Sequence, residues 1–220
     1  LEQALDKVDK EVCSISHWSY QGSTAVVAWL LHTSAFPNSN EDQSSSHPRQ
    51  QQCWLVVANI GDSRAVLCRN GTAVPLTKDH KPNRPSERKR IESVGGTVKN
   101  CDGVHRVNGI LALSRAIGDV SDRPAISAEP DMVSIQVYPY SHVVGADEQT
   151  STVDEFVLLA TDGLWEVFTI QSAVKFVRSQ LRKRERPSFE DISEILVREA
   201  LRRGSSDNIT VLIVWLRQHQ

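Results

Sequence analysis

Glu155-Phe-Val-Leu-Leu-Ala-Thr-Asp-Gly163 is the stretch that decides how this chain folds. Phe156 to Ala160 is apolar at every position. A run of that length and composition is a strand covered on both faces. It ends on an acid, Asp162, followed by Gly163. Two other strand-like runs carry an aspartate at one end. Trp54-Leu-Val-Val-Ala-Asn-Ile-Gly leads into Asp62, and Asp207 stands just before Ile209-Thr-Val-Leu-Ile-Val-Trp215. A buried strand needs no acid at its end, and Asp-Gly by itself is ordinary turn chemistry. Three carboxylates on rigid strand ends are what a hard cation requires.

Working outward, Thr24 to Leu31 and Cys53 to Ile60 read as strands. Arg64 to Cys68 and Ala73 to Leu76 read as a hairpin turning at Asn70-Gly71, where both residues tolerate positive φ. Leu1, Leu5, Val8 and Val12 recur at helical spacing with charges between them, so a helix with one buried face is expected. Ser86 to Val94 is a short helix stopped by Gly95-Gly96. Gln171 to Arg184 is helical, with Val174 and Val177 inward and Pro187 as its stop. Ser188 caps the next helix, which carries Ile192, Ile195, Leu196 and Leu201 inward and ends at Gly204. Ile209 to Leu216 is the last strand. Strands and helices do not alternate regularly, which makes the class α+β. Residues 34–52 are polar, with little to bury, and read as a disordered loop insertion.

The 220 residues suffice for one domain with a substantial core. A formal charge of -2 provides no basic field for nucleic acid, and no nucleic-acid partner is expected. No run of eighteen apolar residues offers a membrane span. Cys13, Cys53, Cys68 and Cys101 lack metal-ligand spacing and fit a reducing compartment, cytoplasmic or nuclear. Leu181-Arg-Lys-Arg-Glu-Arg-Pro187 has the form of a short import tract, although cations at a helix C-terminus also complement its dipole.

Five motifs stand in order along the chain. They are Ala58-Asn-Ile-Gly-Asp-Ser-Arg-Ala-Val66, Leu76-Thr-Lys-Asp-His-Lys-Pro82, Val107-Asn-Gly-Ile-Leu-Ala-Leu-Ser-Arg-Ala-Ile-Gly-Asp119, Leu159-Ala-Thr-Asp-Gly-Leu-Trp165 and Ser206-Asp-Asn-Ile-Thr-Val211. Together with Gly22-Ser-Thr-Ala25 and the segment from Glu87 to Gly96, they resemble the metal-dependent serine/threonine protein phosphatases of type 2C. The resemblance runs from about Gly22 to Trp215. Members also carry Asp-Gly-His-Gly-Gly, and an Arg with Glu-Asp a few residues on, upstream of the Gly-Ser-Thr segment. Neither is present in the twenty-one residues before Gly22, so the chain reads as the C-terminal two-thirds of such a domain, a single partial unit over 1–220.

The resemblance implies two packed antiparallel sheets with helices outside. It implies Mg²⁺ or Mn²⁺ as cofactor and hydrolysis of phosphoserine and phosphothreonine in a phosphoprotein substrate by a metal-activated water. A monomer is expected. Asp162 and Asp207 match the holders of the first catalytic metal, so their oxygens should lie within about 5 Å of each other. Asp62 and Glu166 match ligands of a further metal. The family usually has Asp where Glu166 stands, and the extra methylene moves the carboxylate by roughly 1.5 Å. Asn208, Ser63 and Arg64 are expected to hold the turns, and Arg115 to make a structural ion pair. His80 invites a catalytic reading, but its motif leads into the family's flap, here about 82–105, whose cations suit either an acidic phosphopeptide or a solvated face. No catalytic residue beyond the metal ligands is matched. The alternatives are a catalytically impaired fragment or pseudophosphatase acting as a regulatory module, and a structural cation site that only ties strand ends together.

Overall fold

The computed structural model describes residues 1–33, 52–139, 152–183 and 188–216. The elements follow in this order: α1 Glu2–Cys13, β1 Gly22–Ser23, β2 Ala25–Thr33, β3 Gln52–Ile60, β4 Arg64–Arg69, β5 Thr72–Pro75 and α2 Pro85–Ser93. They continue with β6 Val98–Cys101, β7 Val104–Val107, β8 Ile117–Gly118, β9 Asp131–Val137, β10 Asp154–Ala160, α3 Asp162–Trp165, α4 Ile170–Leu181, α5 Asp191–Arg202 and β11 Val211–Trp215. One sheet has four strands in the order β11-β10-β4-β5 and another has three, β2-β3-β9; every pairing is antiparallel. Two short pairs, β1-β8 and β6-β7, lie apart from them.

The two larger sheets pack face to face. Cys53, Leu55 and Val57 of β3 and Val137 of β9 meet Ala65 and Leu67 of β4 and Val157 and Leu159 of β10. The alternate residues of β10, Phe156, Leu158 and Ala160, point the other way and are covered by α3, α4 and α5 through Leu164, Val174, Val177, Ile192 and Leu196. This arrangement explains why Phe156 to Ala160 is apolar at every position: all seven residues of β10 are buried, and its two acids, Asp154 and Glu155, pair with Arg69 and Arg178. On the outer side of the three-stranded sheet, Leu5 of α1 packs on Ala58 and Ile60. Ile91 of α2 builds a satellite core with Val107, Ala116, Ala125 and Ile126. The result is the α+β sandwich with helices on its outer faces.

The hairpin turns at Asn70 (φ 49°) and Gly71 (φ 76°), the two positive values that a tight two-residue turn needs. Other boundaries and faces differ from the sequence reading. Leu201 is 53% exposed, because the buried line of α5 runs Ile192, Leu196, Ala200, and one more residue turns a side chain away from it. Val8 is exposed, since α1 meets the sheet only along Leu1, Leu5 and Val12. Ser188 Oγ accepts the Asp191 N–H at 3.3 Å, yet α5 itself starts at Asp191. The last strand begins at Val211, two residues later than read, because Ile209 and Thr210 belong to the loop that carries Asp207. Gln52 lies in β3; the rest of the 34–52 insertion, and residues 184–187 of the basic tract with its Pro187, lie outside the described residues.

Candidate metal centre

Strand register decides which acids meet. Ala160 of β10 pairs with Arg64 of β4 on one side and with Val211 of β11 on the other. In antiparallel strands the residues just beyond Ala160 and those just before Arg64 and Val211 leave the sheet at the same end. Asp162, Asp62 and Asp207 occupy those positions.

Local packing then draws two of them together. Gly163 lies so close to the following loop that a Cβ there would be 2.6 Å from the Asn208 carbonyl oxygen. Ser205 Oγ donates to Gly163 O at 2.7 Å, and Thr161 Oγ1 donates to Asn208 O at 3.2 Å while accepting the Thr210 N–H at 3.0 Å. The 205–210 loop is thus stitched to the turn bearing Asp162. Asp207 Oδ1 also accepts the N–H of Asn208 at 2.6 Å, which orients its carboxylate. Glu166 follows Asp162 by one helical turn, its N–H bonded to Asp162 O at 2.9 Å. Asp162, Glu166 and Asp207 each offer one carboxylate oxygen, and these atoms all lie within 4.8 Å of one another. The sequence reading had paired Glu166 with Asp62; here its longer side chain reaches the Asp162–Asp207 pair.

Asp62 is held differently. Gly61 has φ 102°, and a Cβ there would strike the Thr24 side chain at 2.3 Å, so the crossing from one sheet to the other depends on glycine. Asp62 is buried, and its Oδ2 accepts from Lys81 Nζ at 2.5 Å. It remains close enough for its charge to act on Asp162. The Asp162 carboxyl is raised above the usual carboxylate range, first by burial, then by the negative charges of Asp62 and Asp207. Like charges gathered at a partly buried point favour a cation among them.

The donor set fits a hard divalent cation: carboxylate oxygens only, from the turn after β10, the end of α3 and the 205–210 loop, with mutual repulsion that such an ion would relieve. Cysteine and histidine are absent from the cluster.

Residues with a structural reading take structural places. Ser63 Oγ shares a 2.9 Å hydrogen bond with Thr24 Oγ1. Arg64 forks onto Asp79 at 2.7 and 2.8 Å. His80 is fully buried, and its Nδ1 accepts the Gly61 N–H at 3.0 Å. The ring proton therefore sits on Nε2, which faces Asp131 Oδ2 at 3.1 Å. Burial, then the charge of Arg115, lowers its pKa, which favours the neutral ring, and His80 acts as a clip between the two segments. Arg115 pairs with buried Glu87 at 2.6 Å. In the flap segment, Arg84, Arg88 and Arg90 are each paired, with Asp131, Glu92 and Glu87. Asp119 lies against Gly22, with φ 48°, and is not one of the three clustered acids. Sequence reasoning gave Lys81 no role. Its contact with Asp62 spans nineteen residues, and only the tertiary fold reveals it.

The chain is similar to known proteins over most of its length. A probable protein phosphatase 2C of Arabidopsis thaliana is 38% identical over 93% of this chain and 46% of the relative. Another, from Oryza sativa subsp. japonica, is 36% identical over 99% of this chain and 55% of the relative. The chain thus spans about half the length of the curated relatives it matches. Among solved structures, a C. elegans sex determining protein superposes with a TM-score of 0.76 at 27% identity, covering 98% of this chain and 46% of that one. A phosphatase from Toxoplasma gondii gives 0.71 at 27% identity, covering 97% and 73%. The family described as Protein phosphatase 2C matches residues 1–209. With that match, the sandwich and the ordered motifs in agreement, the chain belongs to the protein phosphatase 2C family.

Proposed function

We propose that this domain serves metal-dependent hydrolysis of phosphoserine and phosphothreonine in proteins, with Mg²⁺ or Mn²⁺ held by Asp162 and Asp207. Glu166 supplies a further oxygen to the same cluster, and Asp62 stands beside it. The observation that carries the reading is the convergence of Asp162, Glu166 and Asp207 within 4.8 Å at one end of the sandwich. When bound, a hard divalent cation neutralises phosphate charge and makes water a usable nucleophile near neutral pH. The chain's own residues supply placement. Thr161, Gly163 and Ser205 lock the two loops together, so the carboxylates are positioned before any ligand arrives.

The reading has a direct test. Mn²⁺ binding to the 220-residue chain should be measured by calorimetry, alongside Asp162→Asn and Asp207→Asn. The parent should bind and both variants should lose most of that affinity. Turnover of a phosphoserine peptide should be weak in the chain alone, because Asp-Gly-His-Gly-Gly is absent from the residues before Gly22. It should rise when a segment bearing that motif is joined upstream, and fall again with either Asn variant. Mn²⁺ binding that ignores both substitutions would refute the assignment.

A further inference from the structure

We infer that Lys81 is a tethered cation that competes with a divalent ion for Asp62, and so sets the affinity of that side of the acidic cluster. The inference rests on the cation assignment above and adds a residue to it. Four observations support it. First, Lys81 Nζ donates directly to Asp62 Oδ2, a charge-assisted hydrogen bond within an ion pair. Second, the two side chains differ in exposure: Asp62 is 6% exposed and Lys81 is 42% exposed. The carboxylate cannot move away from the site, whereas the ammonium has a path to solvent. A buried carboxylate needs a compensating charge, and here the chain supplies one of its own.

Third, the backbone on either side of this contact is clamped. His80 N–H donates to Gly61 O at 3.0 Å, and Gly61 N–H donates to His80 Nδ1 at 3.0 Å. Arg64 forks onto Asp79. The 79–81 segment is therefore fixed to 61–64, and Lys81 is aimed at Asp62 by residues that remain in place when its side chain swings out. Lysine suits this role as a point charge on a flexible stem; an arginine fork would be harder to displace. Fourth, the ammonium acts beyond Asp62, since its charge also bears on Asp162. Lys81 thus sits within the field of the cluster, where a divalent ion near Asp62 would be repelled until the ammonium leaves.

The test uses Lys81→Gln, which keeps the stem length and loses the charge, with Lys81→Met as a second neutral form. Mn²⁺ binding is followed by calorimetry on the 220-residue chain, and melting temperature is recorded with chelator and with Mn²⁺. Both variants should bind Mn²⁺ about tenfold more tightly than the parent at one class of site, the effect of removing one charge-assisted competitor. Both should melt lower than the parent in chelator and gain more on adding Mn²⁺. Adding Asp62→Asn to Lys81→Gln should remove the gain, while Asp207→Asn should still abolish binding to the remainder of the cluster. Unchanged Mn²⁺ affinity in both neutral variants, with parent binding intact, would overturn the role of Lys81 and leave the cation assignment standing. Absence of Mn²⁺ binding in the parent and in every variant would overturn both.

Discussion

Replacing Glu87 by Gln should destabilise the domain by about 3 kcal/mol at neutral pH, the lower end of what breaking a buried ion pair costs. Glu87 opens the flap helix and is 1% exposed. Its carboxylate receives Arg115 Nη2 at 2.6 Å, Ser114 Oγ at 2.9 Å and Arg90 Nη2 at 3.1 Å. Burial alone would raise the carboxyl, but the bonds from Arg115, Ser114 and Arg90 outweigh it and hold the group at about 2 against an ordinary 4.5. At about 1.4 kcal/mol per pH unit, that displacement is again about 3 kcal/mol favouring the ionised form. Arg115 keeps Asp131 at 3.2 Å and Glu129 O at 2.7 Å, and Arg90 keeps two carbonyls, so the loss should not reach the upper end of the range. The pH dependence follows from the sign. A depressed carboxyl stabilises the fold above its unfolded value of 4.5, and that contribution is lost as pH falls towards about 2. Urea titrations of parent and variant at several pH values, with thermal melts at neutral pH, provide the assay. The stability difference should be full above about pH 5 and shrink below it, with a melting-temperature gap of roughly 6–12 °C at neutral pH. A variant within about 1 kcal/mol of the parent at neutral pH, the size of a surface pair, with curves parallel through the acid window, would refute the reasoning.

Gly163→Ala should cost about 1–3 kcal/mol by overpacking against Asn208 O and weaken Mn²⁺ binding as the Asp207 loop is pushed away; unchanged values in both measurements would show that the loop yields freely. Phe156→Ala should cost about 3–5 kcal/mol in denaturant melts, because the ring is fully buried and packs edge-on against Trp215 at 5.3 Å; a loss below about 1 kcal/mol would contradict the packing described. Native alkylation at pH 8 followed by mass spectrometry should leave Cys68 unmodified, since it is fully buried and burial, then the charge of Glu155, pushes its thiol up to about 12. Partly exposed Cys101 should react first.

Much of the fold was legible along the chain, because burial on one or both faces writes itself into residue period. The unbroken apolar run of 156–160 identified the central strand, and Asn70-Gly71 identified the hairpin. Asp62, Asp162 and Asp207 stood out because an acid at the end of an apolar strand has no packing reason to be there. Which acids meet could not be read in the same way. The grouping of Glu166 with Asp162 and Asp207 follows from the Ala160–Val211 register and from the absent side chain at Gly163, which allows Asn208 to approach. The pairing of Lys81 with Asp62, the burial of His80 against Gly61 and the clasp of Arg115 on Glu87 join residues nineteen to twenty-eight positions apart. Sequence period reports only which face of its own element a residue occupies. Contacts between elements depend on how strand ends are placed by the whole sandwich, and that placement exists only once both sheets have closed on their common core.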